Sequence, residues 1–297
     1  MRRDGSFDIV GVGIPYTDVL LRLPRLPLAD EALRALERDV QGGGKVPTAC
    51  VAAARLGWRV ALSGPVGGGP LAAGILPDLA AAGVDVDGLQ PQPARRGPLS
   101  VILVQAGSGA RSILWDPGDL AEIALTDADR ARIAGARYLL VSEPFPAACA
   151  AAAWARSHGV AVIWDADVAD PAWPKLAASV DHCVASSAFA ATLGGAEAAP
   201  DRLPGSVAIV TRGRAGLVGR TPAGPFRLPA FPVEAVDTTG AGDVFHGAYV
   251  AGLLRGLDPR AAAGYASAAA ALKCRVLGGR RGIPTHAEVE ALLKGGA

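Results

Sequence analysis

The sequence predicts an α/β fold: a doubly wound, mostly parallel sheet flanked by helices. Four strand-like apolar runs, at 138–142, 161–165, 182–185 and 207–211, alternate with segments of helix length, the pattern of strands joined by crossover helices. Two long Ala-rich stretches, 241–256 and 259–273, read as helices. The segments near 14–41 and 98–116 read as strands and turns outside the main repeat, so a smaller β unit accompanies the body.

Taken in order, residues 7–12 are an apolar strand ending at Gly11-Val12-Gly13. This G-x-G does not make a dinucleotide fingerprint, because Tyr16 stands at the third glycine position and Pro15 interrupts the turn. Residues 18–23 follow as a strand, then a Pro-punctuated stretch to Leu28. Helix-forming alanines mark 47–56, with Gly57 as the cap. Residues 58–64 predict a strand and 71–82 a helix stopped by Gly83, while the Pro-rich 91–97 reads as irregular. Runs at 99–105 and 111–115 flank Ala106-Gly107-Ser108-Gly109 as a hairpin, and 217–220 with 226–231 predict an antiparallel hairpin. There is no internal repeat and no interdomain linker, so 1–297 reads as a single domain.

The run Asp237-Thr238-Thr239-Gly240-Ala241-Gly242-Asp243 carries the most chemistry. It feeds a helix, and the first N–H groups of a helix have no partner within it, so they can bind an anion. Gly240 and Gly242 allow close approach, and the N–H groups of Ala241, Gly242 and Asp243 converge beside the Asp243 carboxylate. A carboxylate next to an anion hole can take a proton from a hydroxyl attacking phosphorus. A second glycine run, Gly42 to Gly44, precedes the helix that holds Thr48, and Gly43 and Gly44 leave room for a ligand at the backbone.

These stretches carry a resemblance. DTTGAGD followed by Val244-Phe245-His246-Gly247-Ala248 resembles the second signature of the PfkB/ribokinase family of carbohydrate kinases, and 42–57 resembles the first. The likeness runs from about Asp8 to Pro284, and the ending Ala271-Leu272-Lys273-Cys274 with 278–284 is most similar to the sulfofructose kinase branch. The resemblance implies a ribokinase-like fold in which the segments near 14–41 and 98–116 form a lid over the sugar, through which such proteins often form homodimers. It implies ATP and Mg2+ as cofactors, with K+ at a monovalent-cation site in some members. It makes Asp243 the general base, with Gly240, Ala241 and Gly242 as the anion hole, and places Asp18, Gly43, Gly44 and Thr48 on the sugar. Thr211, Gly213 and Gly216 match a T-x-G-x-x-G turn that holds the nucleotide. Asp165, with Asp167, matches a region that orients Mg2+-bound water, and Asp237 with 278–282 matches the monovalent-cation site.

Departures from the family pattern bear on the substrate. Thr48 replaces the usual Asn, and a hydroxyl reads fewer sugar hydroxyls than an amide. Ser186 and Phe189 occupy the ends of a magnesium-associated N-x-x-E motif. Ala32, Leu114 and Pro144 fall where the sulfofructose branch binds sulfonate, leaving Arg34, Arg38 and Arg111 as nearby substitutes. Lys45 reads as a solvated surface lysine and His246 as a packed histidine. The expected activity is transfer of the ATP γ-phosphate to a primary hydroxyl of a monosaccharide or sugar derivative. Sulfofructose kinase, nucleoside kinase (with Tyr16 and Trp115 as its aromatic surfaces) and a non-catalytic sugar- or nucleotide-binding homologue stand as alternatives.

Composition narrows the partners. With 29 basic and 28 acidic residues the net charge is +1, which gives no electrostatic capture of nucleic acid or anionic membrane. The apolar stretches at 99–104 and 138–141 are too short to span a bilayer. Residues 1–6 hold two arginines with no apolar core behind them, and Cys50, Cys149, Cys183 and Cys274 lack metal-like spacing and read as reduced thiols. Together these predict a cytoplasmic protein.

Overall fold

The structure, a computed structural model, describes residues 6–295; the amino-terminal residues 1–5 lie outside it. The chain runs β1 (Ile9–Val12), β2 (Tyr16–Leu23), β3 (Glu37–Gly43), α1 (Lys45–Arg55), β4 (Val60–Gly68), α2 (Ile75–Ala81) and β5 (Val84–Arg96). Then come β6 (Leu99–Gln105), β7 (Arg111–Asp116), α3 (Asp127–Gly135), β8 (Tyr138–Val141), α4 (Pro146–Ser157), β9 (Ala161–Ala166) and α5 (Trp173–Ala177). The rest is β10 (His182–Ser186), α6 (Ser187–Ala191), β11 (Val207–Thr211), β12 (Leu217–Thr221), β13 (Gly224–Leu228), α7 (Ala241–Leu254), α8 (Pro259–Lys273) and α9 (His286–Leu293).

Among the described residues, nine strands form one sheet in the order β13-β12-β11-β10-β9-β8-β1-β4-β5, and β3-β2-β6-β7 form a separate small sheet. From β11 to β5 neighbouring strands of the large sheet pair in parallel, while β12 and β13 complete it as the expected antiparallel hairpin. The strand order reverses between β1 and β8, so a crevice opens where their carboxyl ends diverge. The polar residues at these ends, Ser142, Glu143, Asp165, Ser186 and Thr211, all face that crevice.

Alanine and glycine decide how closely the helices pack. Every residue of α7 from Val244 to Leu254 is buried. A Cβ on Gly252 would sit 3.0 Å from Ala262 Cα, and one on Gly247 would meet Ala52 at 2.9 Å. These glycines let α7 lie against α8 and α1 with almost no side chain between them. On the sheet's other face α4 buries Ala147, Ala148, Ala151, Ala152 and Ala155 in the same way. The small sheet has its own apolar seam of Leu20, Ile102, Val104 and Leu277, backed by Val236, which ties it to the segments just before α7 and after α8.

Two local expectations are corrected. Residues 91–97 are mostly strand: β5 pairs with β4 through Gln90, Pro91 and Gln92. It lies at the edge of the sheet, where a proline's missing N–H faces away from the ladder. The helix expected over 71–82 begins at Ile75, because 70–74 is taken up by turns. The Gly11-Val12-Gly13 glycines serve packing; a Cβ on Gly11 would come within 2.8 Å of Val46 Cγ1 on α1. The four cysteines are unpaired thiols, and no described helix is long and apolar enough to cross a membrane.

Candidate active site

The floor of the crevice is the loop into α7. Gly240 caps this helix with φ of 71°, a left-handed conformation, and a Cβ there would lie 2.8–2.9 Å from the Gly279 backbone. Conformation and space therefore both require glycine. Ala241 N–H closes a turn onto Thr238 O at 3.2 Å, and no side chain caps the helix. Ala241 N–H is used in this turn, which leaves the N–H groups of Gly242 and Asp243 at the open start of α7. Asp243 stands in the first turn of α7 and lines the cavity. Desolvation, and then the Asp165 carboxylate, hold its carboxyl well above the ordinary range, with Lys45 opposing.

A cavity of about 600 Å3 opens above this floor. Of the residues expected to act, Asp18, Gly44, Asp165, Thr211, Gly240, Gly242 and Asp243 line it. Its roof comes from the small sheet, through Tyr16, Ser100, Ile102, Arg111, Ile113 and Trp115. The small sheet therefore stands as a lid over the crevice. It also touches the floor: Arg111 Nη1 donates to Thr238 Oγ1 at 2.7 Å, and a Cβ on Gly109 would come 3.1 Å from Ala235 O.

Asp18 on β2 is buried, and a side chain at Gly43 would collide with its carboxylate. Behind both lies Arg280, the key residue of this wall that sequence reading missed. Arg280 Nη2 donates to Gly43 O at 2.8 Å, Nε donates to Thr48 Oγ1 at 3.2 Å, and its backbone N–H donates to Gln41 Oε1 at 3.0 Å. Thr48 is 2% exposed and stands behind the wall, so its hydroxyl braces Arg280 and is not part of the cavity surface. Desolvation pushes the Asp18 carboxyl up to about 6 against the pull of Arg280, and burial brings Arg280 down to about 10.

Lys45 is not a solvated surface lysine. It opens α1, and its Nζ lies 3.4 Å from Glu143 and 3.2 Å from Asp167 at the cavity wall. Burial pulls its pKa down, but the Glu143, Asp165 and Asp167 carboxylates outweigh that and hold it above the usual value. A lysine at a helix N-terminus opposes the helix dipole, so only these tertiary carboxylates account for its place. His246 is packed as expected: Nδ1 is 2.7 Å from Gly242 O and Nε2 is 3.5 Å from Asp165 Oδ1. It thereby links the start of α7 to Asp165.

On the other side, Thr211 ends β11 and the chain turns through Gly213 (φ 55°) and Gly216 (φ 79°), closed by Arg212 N–H on Gly216 O at 2.8 Å. The two glycines lie outside the cavity wall and form the rim's turn. Ser186 lines the cavity and caps α6 through Phe189 N–H at 3.1 Å, while Phe189 packs edge-on against Trp164. Among the described residues no three His, Cys, Asp or Glu side chains come together as a metal-holding group. Of the three arginines considered for an anionic substituent, Arg111 lines the cavity, whereas Arg34 and Arg38 are exposed and outside its wall. Leu114 points away from the cavity, on the face opposite Ile113 and Trp115.

A helix start with free N–H groups and an adjacent carboxyl, at the switch point of a doubly wound sheet and under a β lid, is an arrangement suited to phosphoryl transfer. The chain belongs to the pfkB family of carbohydrate kinases, whose family model matches residues 8–286, and it is a phosphotransferase that acts on sugars. It is 29% identical to the ribokinase of Bacillus subtilis over 96% of this chain and 99% of the relative. It is 30% identical to an ATP-dependent ribose-1-phosphate kinase of Halopiger xanaduensis, over 96% and 97%. A crystal structure from Agrobacterium tumefaciens, provisionally assigned as a ribokinase, superposes with a TM-score of 0.89 at 32% identity, covering 98% of both chains. The fold is ribokinase-like, and the protein is a sugar kinase of the ribokinase family.

Proposed function

We propose that the protein transfers the γ-phosphate of ATP to a primary hydroxyl of a monosaccharide or a simple sugar derivative. The carrying observation is the placement of Asp243 in the first turn of α7, on the same cavity that Asp18 and Gly44 line from the sugar side. The sugar lies between the lid and the Gly43–Gly44 wall, with Asp18 accepting from its hydroxyls. The attacking hydroxyl gives its proton to Asp243, and the N–H groups of Gly242 and Asp243 stabilise charge gathering on the transferring phosphoryl group. Lys45 holds Glu143 and Asp167 at the wall and lowers the pKa of Asp243, favouring the ionised base. The nucleotide lies toward Thr211 and the Gly213–Gly216 turn. Mg2+ would come with the nucleotide phosphates as part of the substrate and neutralise their charge, and Asp165 and Asp167 on the cavity wall would be the carboxylates to orient its water.

The names of the two curated relatives favour a pentose or its phosphate as acceptor. A nucleoside is the second reading, because both aromatic side chains it would need, Tyr16 and Trp115, line the cavity. A coupled ADP-release assay over ribose, ribose 1-phosphate, ketoses, a sulfonated ketose and nucleosides separates these readings. Turnover confined to nucleosides would reject the sugar reading, and binding without any turnover would reject catalysis. The lid also supports homodimerisation. Val40, Val19, Val101 and Leu114 lie side by side across its outer face, with Val40 and Leu114 more than half exposed. Sedimentation of the protein with Val40→Glu and Leu114→Glu tests this, with a monomer expected.

A further inference from the structure

The resemblance places a monovalent cation at Asp237, and the groups around that residue do not fit one. Both oxygens of the Asp237 carboxylate already accept backbone N–H groups, from Thr239 and from Gly278, each at 2.8 Å. Its backbone carbonyl accepts from Lys273 Nζ at 2.9 Å. Lys273 is the last residue of α8 and is 0% exposed. The same junction is clamped by Cys274 O, which accepts from Val236 N–H at 2.8 Å and from Asp237 N–H at 3.1 Å.

A lysine in the last turn of a helix is already favoured by the helix dipole when its head lies in water. Burying that head instead costs several kcal/mol, so a fully buried ammonium needs compensating charge and hydrogen bonds. Here they come from one place, the residue that opens the phosphoryl-transfer loop. Burial and, less strongly, Arg111 work against the charged form of Lys273, and Asp237, Cys274 and Asp243, two of them on that loop, work for it. Lys273 itself does not line the cavity.

We propose that Lys273 is a built-in cation for this loop: its ammonium takes the place of a monovalent ion at Asp237 and leaves the enzyme indifferent to K+. It is a positioning residue. It holds the Asp237 carbonyl, from which Thr238 to Asp243 depart, and so sets where the anion hole and the base stand. The proposal rests on the phosphoryl-transfer reading of the loop.

The full-length enzyme and Lys273→Ala are assayed with ATP and the best acceptor in NaCl, KCl, NH4Cl or tetramethylammonium chloride at one ionic strength, and the Tm of each is measured in the same salts. Wild-type kcat is expected to change by less than about twofold among the salts. Lys273→Ala should lose about ten- to hundredfold in kcat with little change in acceptor KM, the signature of a misplaced catalytic group. K+ and NH4+, but not tetramethylammonium, should restore most of that loss. Its Tm should rise in KCl over NaCl, as a newly opened ion site requires, while the wild-type Tm does not. A wild-type enzyme whose kcat or Tm rises specifically with K+ overturns the proposal, whatever the variant does. So does a folded Lys273→Ala that keeps its kcat, or one that no small cation rescues. If the alanine variant does not fold, Lys273→Met is put through the same measurements. Absence of turnover with every acceptor counts against the function alone, and the Tm comparison then decides on Lys273.

Discussion

Replacing Asp243 by Asn keeps the shape of the side chain and removes its ability to accept a proton. A positioned general base contributes about two to four powers of ten in rate, or about 3–5 kcal/mol of barrier at 1.36 kcal/mol per decade. The upper half of that range is expected here, because the other carboxylates of the cavity are engaged, Asp18 with Arg280 and Ser100. Asp165 faces His246 and Lys45, and Glu143 and Asp167 are drawn to Lys45. The same surroundings predict an opposite effect on stability. Desolvation and Asp165 raise the folded-state pKa of Asp243 above its unfolded value, so ionising it on going from acid to alkaline pH weakens the fold. An amide cannot ionise. Asp243→Asn should therefore match the wild-type Tm at low pH and exceed it increasingly as pH rises through the folded pKa. Steady-state ADP release and calorimetry from pH 5 to 9 measure both effects. Turnover within tenfold of wild type, or a Tm below wild type across the whole range, would refute the assignment of base and environment together.

Three further outcomes follow from the same geometry. Lys45→Met should lower kcat/KM about a hundredfold and move the acid limb of the pH–rate profile to higher pH, since Lys45 is what lowers the pKa of Asp243; an unmoved limb would break that link. The Asp18 carboxyl, at about 6, should make acceptor KM rise as pH falls through that value, and Arg280→Met should shift the rise to higher pH with ATP KM unchanged, both read from KM–pH profiles. Gly43→Ala forces a methyl group onto the Asp18 carboxylate, so acceptor KM should increase by about tenfold or more while the fold survives at the melting temperature of the parent within a few degrees; an unaffected KM would show that Asp18 can move aside.

The large sheet was legible because the strand runs at 138–142, 161–165 and 182–185 are each followed by a helical segment before the next strand, and local sequence pattern decides such elements. The loop at 237–243 was legible for the same reason: the glycines and the helix that follow it are neighbours in sequence. Elements failed where position in the sheet overrode local chemistry. Pro91 belongs to a strand because β5 is an edge, and nothing near 91–97 announces an edge. The charged groups of the site were the least legible. Lys45 sits at a helix start, the worst place for a cation by local rules, and makes sense only with Glu143 and Asp167 brought about a hundred residues along the chain to meet it. Arg280 reads as one more surface arginine in a glycine-rich tail, yet it reaches Gly43 and Thr48 across more than 230 residues. Lys273 reads as an ordinary helix-ending lysine until its ammonium is found on the carbonyl of Asp237. In all three a cation secures a glycine-rich loop to a distant part of the chain: Lys45, directly after Gly44, to Glu143 and Asp167, Arg280 to Gly43, and Lys273 to Asp237. Glycine opens the backbone to a ligand and leaves it loose for the same reason, so the rigidity the chemistry needs is supplied from distant parts of the chain. That division of labour is why the reaction class can be read from the loops, while the features that tune it are visible only in three dimensions.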